Sequence, residues 1–566
     1  MRRLIGFLVA TLVVGLIAYA LYSAAPRVPD RAVLVVELSG NLEEAPPLDA
    51  VAQVTARGLA QPTVLLQLEK AAADRRIVAV LLHIRRLELG FARIQELRDA
   101  VERVRTAGTS VVALLDVASL NATREVYLAS AADRTYVTSS YLGPVAGIAA
   151  EYVHLGGLMD KLGVRFEYER IGKYKSAPEL LTERTLSEPA REVANAILDG
   201  VFAQILSGIA AGRALEVERV RELIDAPPST AQDYLEAGLA DAIASRRDVL
   251  EQAGFETAEE VKYENYVGVD PADLGLRDGP AVALIFGSGP ITQDSPGLRG
   301  PSFTARRINK ALEQAVESEE VQAIVLRINS GGGSAQASDE IWQVVRSVRE
   351  RKPVVVSMAD AAASGGYYVA SAADAIIAEP ATLTGSIGVF FARPALGDLY
   401  EKLDLGTEVL ARGPFAAISA SSVPMSPEVR ELTRRIVRSL YDDFLARISA
   451  GRGIDTERID SLGQGRVWLG ETALELGLVD ELGGLHAAVA RAKREAGIAP
   501  EVDPRRIVFP GPRSLREQLR DLVSSSIASW VGDAIQVPLA TSDLYRWLVA
   551  LDSPFAYLPE HWIEIR

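Results

Sequence analysis

The feature that most limits how this chain can fold is an internal repeat. AVLVVELSGNL from Ala32 returns as AVALIFGSGPI from Ala281, and VAVLLHIRRL from Val78 as QAIVLRINSG from Gln322. SVVALLD is answered by PVVVSMAD, YLASAADRTYV by YVASAADAIIA, LSEPAREV by MSPEVREL, and YLEAGLADAI by ALELGLVDEL. The offset drifts between about 239 and 249 residues, as small insertions produce, and six matches in one order exclude coincidence. A chain of 566 residues is also too long for one core. The organisation expected is a stub and anchor over 1–30, a first repeat over 31–275, a second over 276–495 and a helical tail over 496–566.

Inside each copy, short β-branched runs (VLVVEL, VAVLLHI and SVVALLD; VALIF, AIVLRI and PVVVSM) alternate with helical periodicity. One such helix is SDEIWQVVRSVRERK, apolar at Ile341, Val344, Val345 and Val348. Continuous apolar strands between amphipathic helices predict an α/β fold, two tandem domains with mostly parallel sheets covered on both faces. Each copy closes on longer helices, for instance from about Glu428 to Gly451.

Composition narrows the chemistry. Cysteine is absent, which removes disulfides, thiolate metal sites and a cysteine nucleophile, and suits an oxidising compartment. The four histidines, His83, His154, His486 and His561, lie far apart with no HExxH spacing, so no metal or other cofactor is expected. A net charge of −15 argues against nucleic acid as a partner.

The amino terminus carries a targeting signal. Arg2 and Arg3 precede LIGFLVATLVVGLIAYALY, residues 4–22, an uncharged run close to the ~20 residues that span a bilayer. The charge order puts the amino terminus in the cytoplasm and the folded mass outside. The run is longer than the ~7–15-residue core of a cleaved signal peptide, so it reads as a single-pass anchor; SAAP after it offers cleavage as the alternative.

Two stretches of the second copy bear on catalysis. RINSGGGSAQAS, Arg327 to Ser338, sets three glycines between a strand and a helix, where backbone N–H groups can approach a ligand. AAASGGYYVASAAD sets Ser364 where strand PVVVSM gives way to a helix, so that the Gly365 N–H can face a developing oxyanion. Ser364 could be an ordinary helix cap. The first copy, however, has Thr123 and Arg124 at the Ser-Gly positions and RRLEL in place of NSGGG, so both features are lost together. A nucleophile with its oxyanion hole accounts for that joint loss. The serine needs a base, and no histidine is suitably placed. A buried lysine can serve when its pKa falls towards ~7–8. ERIGKYKSAPELL in the first copy offers Lys173 and Lys175, whereas the matching EVLARGPFAAISASS has no lysine. Each half has what the other lacks.

Together, SMADAAASGGYYVASAADAIIAEPATLTGSIGVF, LRINSGGGS and RIGKYKSAPELL resemble the long, two-domain bacterial signal peptide peptidases, membrane-anchored serine peptidases of the Clp/crotonase-like fold. The likeness runs from the anchor to about residue 495. It implies Ser364 as nucleophile, Lys175 rather than Lys173 as general base, and Ser386 of TGSIG holding the lysine. It also implies Gly365 and a loop glycine, Gly333 or its neighbour Gly332, as oxyanion donors. The family usually has proline where this chain has Gly331, which leaves the loop more flexible without removing a donor. The resemblance further implies peptide substrates, spent signal peptides among them, and a homotetramer on the periplasmic face of the inner membrane. The rival readings are a crotonase-like acyl-CoA enzyme, a non-catalytic membrane scaffold and a Ser-His-Asp peptidase.

Overall fold

The structure is a computed structural model that describes residues 28–46, 59–139, 142–277, 279–294 and 302–511, and the backbone of 555–557. The apolar run at 4–22 and the helical stretch expected in the tail at 515–535 lie outside the described residues, as do Tyr545, Trp547, His561 and Trp562.

In the first copy β1 (Ala32–Gly40), β2 (Ile77–Leu87), β3 (Ser110–Leu115) and β4 (Arg134–Val137) lie side by side in parallel. Helices cover both faces, so these strands are buried nearly throughout, and their sequences are continuous apolar runs rather than alternating ones. β5 (Arg165–Ile171) leaves this sheet, while β6 (Ala242–Ile243) and β7 (Glu259–Lys262) flank it, giving the order β6-β4-β3-β2-β1-β7.

The second copy repeats the plan with β8 (Gly279–Thr292), β10 (Val321–Ser330), β12 (Val354–Ala363) and β13 (Ala375–Ala378), again parallel. Around them lie β9 (Ser302–Thr304), β11 (Gly332–Ser334), β14 (Leu383–Gly385), β15 (Val389–Ala395), β16 (Val467–Leu469), β17 (Glu481–Leu482), β18 (Pro504–Phe509) and β19 (Phe555–Tyr557). The two copies differ in their edge strands. After the helix Gly156–Leu162 the first copy makes β5, but the matching residues 404–425 of the second form no strand. Before its helix Gly397–Lys402 the second copy makes β14 and β15, where residues 142–149 of the first are irregular. β5 and β15 pair antiparallel, from Ile171 against Val389 to Arg165 against Ala395, so the first copy adds one strand, β5, to a sheet of thirteen whose other members all follow residue 278.

The helices follow local sequence. Ala335–Arg349 starts at Ser334, whose hydroxyl accepts from the Ala337 N–H, and buries Ile341, Trp342, Val345 and Val348. The repeated LSEPAREV and MSPEVREL open Glu188–Arg213 and Pro427–Arg452, each capped by serine with proline in the first turn. Glu188–Arg213 is apolar and long enough to cross a membrane, but its stripe of Val193, Ile197, Val201, Ile205 and Ile209 is buried in the first copy's core.

Buried charges clasp the halves together. Arg327 of the second copy bonds Glu44 at 2.7 Å and Glu96 at 3.0 Å in the first. Asp360 of β12 accepts the Gly90 and Arg93 N–H groups at 3.2 and 3.1 Å, satisfying orphan donors at a helix start across the boundary.

Candidate active site

β12 ends at Ala363, paired with Gly385 of β14, and the chain then turns sharply into the helix Gly365–Ala370. Ser364 makes that turn with φ 55° and ψ −115°, and its N–H donates to the Gly385 carbonyl at 2.8 Å. A positive φ in a residue with a Cβ is strained, and such strain persists only where the surroundings enforce it. The hydroxyl makes no capping bond, so the helix-cap alternative is not realised. Gly365 is the first residue of the helix, where N–H groups lack intrahelical partners.

The β5–β15 pairing brings the first copy's lysine segment to this point. A turn follows β5, with the Lys175 N–H donating to the Gly172 carbonyl at 3.1 Å. Lys173 faces outward with its ammonium 4.6 Å over the Tyr174 ring, whereas Lys175 is 1% exposed. Lys175 Nζ lies 2.6 Å from Ser364 Oγ, 3.0 Å from Ser386 Oγ and 2.9 Å from the Ser386 carbonyl oxygen. A neutral amine has two N–H bonds and one lone pair. It can donate both to Ser386 and accept the Ser364 O–H, which uses its whole capacity. Burial with no carboxylate bonded to it pushes the Lys175 pKa down to about 7. Two supports were not visible in the sequence. Arg170 donates to the Lys175 carbonyl at 2.8 Å and pairs with buried Glu179 at 2.8 Å, and Glu179 accepts from the Ser187 hydroxyl at 2.9 Å. Nothing in the spacing of these residues marks them in advance.

The glycine loop lies against the start of the helix that follows Ser364, where a Cβ on Gly366 would stand 2.9 Å from the Ser330 carbonyl oxygen. The Gly332 N–H donates to Ser330 Oγ at 3.1 Å, so that donor is engaged within the loop. Gly333 has φ +158°, and a Cβ there would stand 2.2 Å from the Ile291 carbonyl oxygen, so only glycine lets the two backbones meet. Residues 555–557 pair antiparallel with this strand, Gly332 against Tyr557, Gly333 against Ala556 and Ser334 against Phe555, and Phe555 also pairs with Phe390 of β15. An extended segment therefore runs between the glycine strand and β15.

The family model described as Peptidase family S49 matches residues 104–260 and again 346–499, one match in each copy and more than half the chain in all. The chain belongs to peptidase family S49. Its curated relatives include the chloroplastic serine protease SPPA of Arabidopsis thaliana, 34% identical over 83% of this chain and 70% of that protein. Protease 4 of Salmonella typhi is 30% identical over 83% of this chain and 77% of its own length. Protease 4 of Haemophilus influenzae is 29% identical over 76% and 72%. Among solved structures, a ClpP1 mutant from Listeria monocytogenes aligns with 36% of this chain and 93% of its own, at 17% identity and a TM-score of 0.24.

An S49 chain is a serine peptidase, which sets aside the acyl-CoA and scaffold readings. In this S49 peptidase the first copy's Thr123 is spent locally: its hydroxyl donates to Asn121 Oδ1 at 2.7 Å and accepts the Gly147 N–H at 2.9 Å. Arg124 lies over the Phe91 ring at 5.3 Å. His83 bonds Asp116 at 3.1 Å and His154 the Glu179 carbonyl at 3.4 Å, while His486 lines a cavity of about 160 Å³ with Arg103, Arg277 and Arg506. Among the described residues no group of three acidic or histidine side chains is arranged to hold a metal ion.

Proposed function

We propose that this S49 peptidase cleaves peptide bonds with a Ser-Lys dyad shared between its two halves, Lys175 from a first unit over 31–275 and Ser364 from a second over 276–495. The observation that carries the reading is the 2.6 Å contact between Lys175 Nζ and Ser364 Oγ, inside a site where the amine is buried and its pKa is about 7. Neutral Lys175 takes the Ser364 proton as Oγ attacks the substrate carbonyl. The resulting oxyanion lies between the Gly365 and Gly333 N–H groups. Collapse passes the lysine's proton to the leaving amine and leaves an ester on Ser364. Water then attacks that ester, giving its proton to Lys175, and the second collapse returns a proton to Ser364 Oγ. Ser386 orients the amine by accepting both of its N–H bonds.

The substrates in this reading are extended, largely apolar peptides near a membrane, spent signal peptides included. In support, the segment 555–557 lies antiparallel to the glycine strand, the pairing by which an exposed sheet edge takes up an extended peptide. The uncharged run at 4–22 serves as a single-pass inner-membrane anchor with the body on the periplasmic side, assembled as a homotetramer. The test is hydrolysis of a quenched fluorescent peptide by wild type, Ser364→Ala and Lys175→Ala. Both variants should lose turnover while keeping the wild-type circular dichroism spectrum; near-wild-type turnover by either would end the proposal.

A further inference from the structure

The geometry points to the loop Gln464–Gly465–Arg466 of the second copy as the element that positions the first copy's base, with Arg466 as its latch. This rests on the dyad reading and adds to it a set of positioning residues that touch no substrate atom.

Three successive residues each hold one part of the dyad's support. The Gln464 carbonyl accepts the Tyr174 N–H at 2.8 Å, immediately before Lys175. The Gly465 N–H donates to the Ile387 carbonyl at 2.7 Å, immediately after Ser386. The Arg466 carbonyl accepts the Ser386 N–H at 2.7 Å. Gly465 itself lies against the base: with φ +77°, a Cβ there would stand 2.5 Å from Lys175 N and 2.7 Å from its Cα and Cβ. Any side chain at 465 drives the lysine backbone away. The loop is fixed from behind by Gln464 Nε2, which donates to Asp460 at 2.6 Å.

Arg466 closes the loop over the lysine segment. Its guanidinium lies between the Tyr174 ring at 4.8 Å and the Trp468 ring at 4.5 Å, and it bonds Glu192 of the first copy. Glu192 also accepts the Tyr174 hydroxyl at 3.0 Å. One arginine thus ties the strand after the loop to both Tyr174 and the helix Glu188–Arg213. The repeat supplies an independent argument. In the register that matches YLEAGLADAI to ALELGLVDEL, Ala226 and Pro227 stand at the positions of Gly465 and Arg466. The glycine-arginine pair occurs only in the copy where a lysine docks.

The charged groups around Lys175 are Arg170 and Glu179, paired to each other, Lys173 over the Tyr174 ring, and the Glu192–Arg466 pair. With these charges paired or turned outward, dryness sets the lysine's basicity. Loosening the latch admits water, and hydration restores the ammonium's ordinary preference for its proton. A misplaced base also lowers turnover without weakening substrate binding.

The experiment compares pH profiles of kcat and KM for the full chain in detergent, as wild type, Arg466→Met, Arg466→Lys, Gly465→Ala and Lys175→Ala. Arg466→Met keeps the aliphatic stem and loses the latch. The acid limb of its kcat/KM profile should move up by about one pH unit, costing about fivefold at pH ~7 and approaching about tenfold below it, with KM within about twofold and kcat largely recovered at alkaline pH. Arg466→Lys, which keeps the charge but not the planar fork, should move it in the same direction. Gly465→Ala should lower kcat more than either. An unmoved acid limb in Arg466→Met, whether activity is intact or reduced equally at every pH, overturns the proposal. The Lys175→Ala control separates the two levels: retained activity there sinks the dyad itself, whereas a dead Lys175→Ala beside an unmoved Arg466→Met profile sinks only the latch.

Discussion

Replacing Lys175 by methionine tests whether the base is held neutral by burial. The folded chain holds this amine at about 7 against an ordinary value of 10.5, a difference of about 3.5 pH units. Each unit corresponds to about 1.4 kcal/mol. Between those two values the unfolded lysine carries a proton that the folded one has shed. The unfolded state therefore binds more protons, and wild-type stability rises with pH through that window. Below about pH 7 both states are protonated and the dependence vanishes. Lys175→Met has no such group, and the hydrogen bonds it loses to Ser364 and Ser386 shift its stability by an amount that does not vary with pH. The stability difference between the two proteins should therefore change by about 3 kcal/mol between pH ~7 and pH ~9.5, always towards wild type as pH rises. Urea unfolding of the full chain in detergent, followed by tryptophan emission at several pH values, measures it. A difference constant to within a few tenths of a kcal/mol would mean that the folded lysine is hydrated and charged, and that burial does not hold it neutral.

Ser386→Ala removes one of the amine's two acceptors and leaves the Ser386 carbonyl, so kcat should fall by about ten- to a hundredfold with KM little changed, as read by steady-state peptide hydrolysis. Gly333→Ala sets a methyl group against the Ile291 backbone; with Gly333 as the proposed oxyanion donor, kcat should fall by about a hundred- to a thousandfold in the same assay, and a loss under threefold would remove Gly333 from that role. Arg327→Met leaves Glu96 buried without its cation and Glu44 with Arg93 alone, so the clasp between the halves should weaken by about 3–5 kcal/mol, visible as a lower thermal midpoint.

The local parts of this fold were legible in the sequence because they obey local rules. AIVLRI and PVVVSM are continuous apolar runs and form buried parallel strands, and serine followed by proline opens both long helices. The division of Ser364 and Lys175 between the copies was also legible, as a loss in each half of what the other kept. What could not be read was how the lysine reaches the serine. That depends on β5 leaving its own sheet to pair with β15, a contact between residues far apart in sequence whose partner no periodicity specifies. The turn at Ser364 reads locally as a helix cap, and only the pairing of Ala363 with Gly385 goes with the strained backbone that leaves the hydroxyl uncapped, 2.6 Å from the Lys175 amine. Arg170, Glu179 and the Gly465–Arg466 loop carry no mark in the sequence for the same reason: what each supports depends on which distant segment packs against it. Gly332 shows the reverse case, a loop glycine that the resemblance implies as a possible oxyanion donor beside Gly333, and whose N–H is engaged by Ser330.

In the proposed mechanism a neutral amine from the first half activates one hydroxyl in the second. The most direct measurement is the rate of covalent capture by a fluorophosphonate across the range from mildly acid to mildly alkaline pH, with the adduct located by peptide mass spectrometry. A single adduct should form on Ser364, with half-maximal capture near pH ~7 and capture slowed at least about a hundredfold in Lys175→Ala. An adduct on another residue, or equal capture rates with and without the lysine, would contradict it.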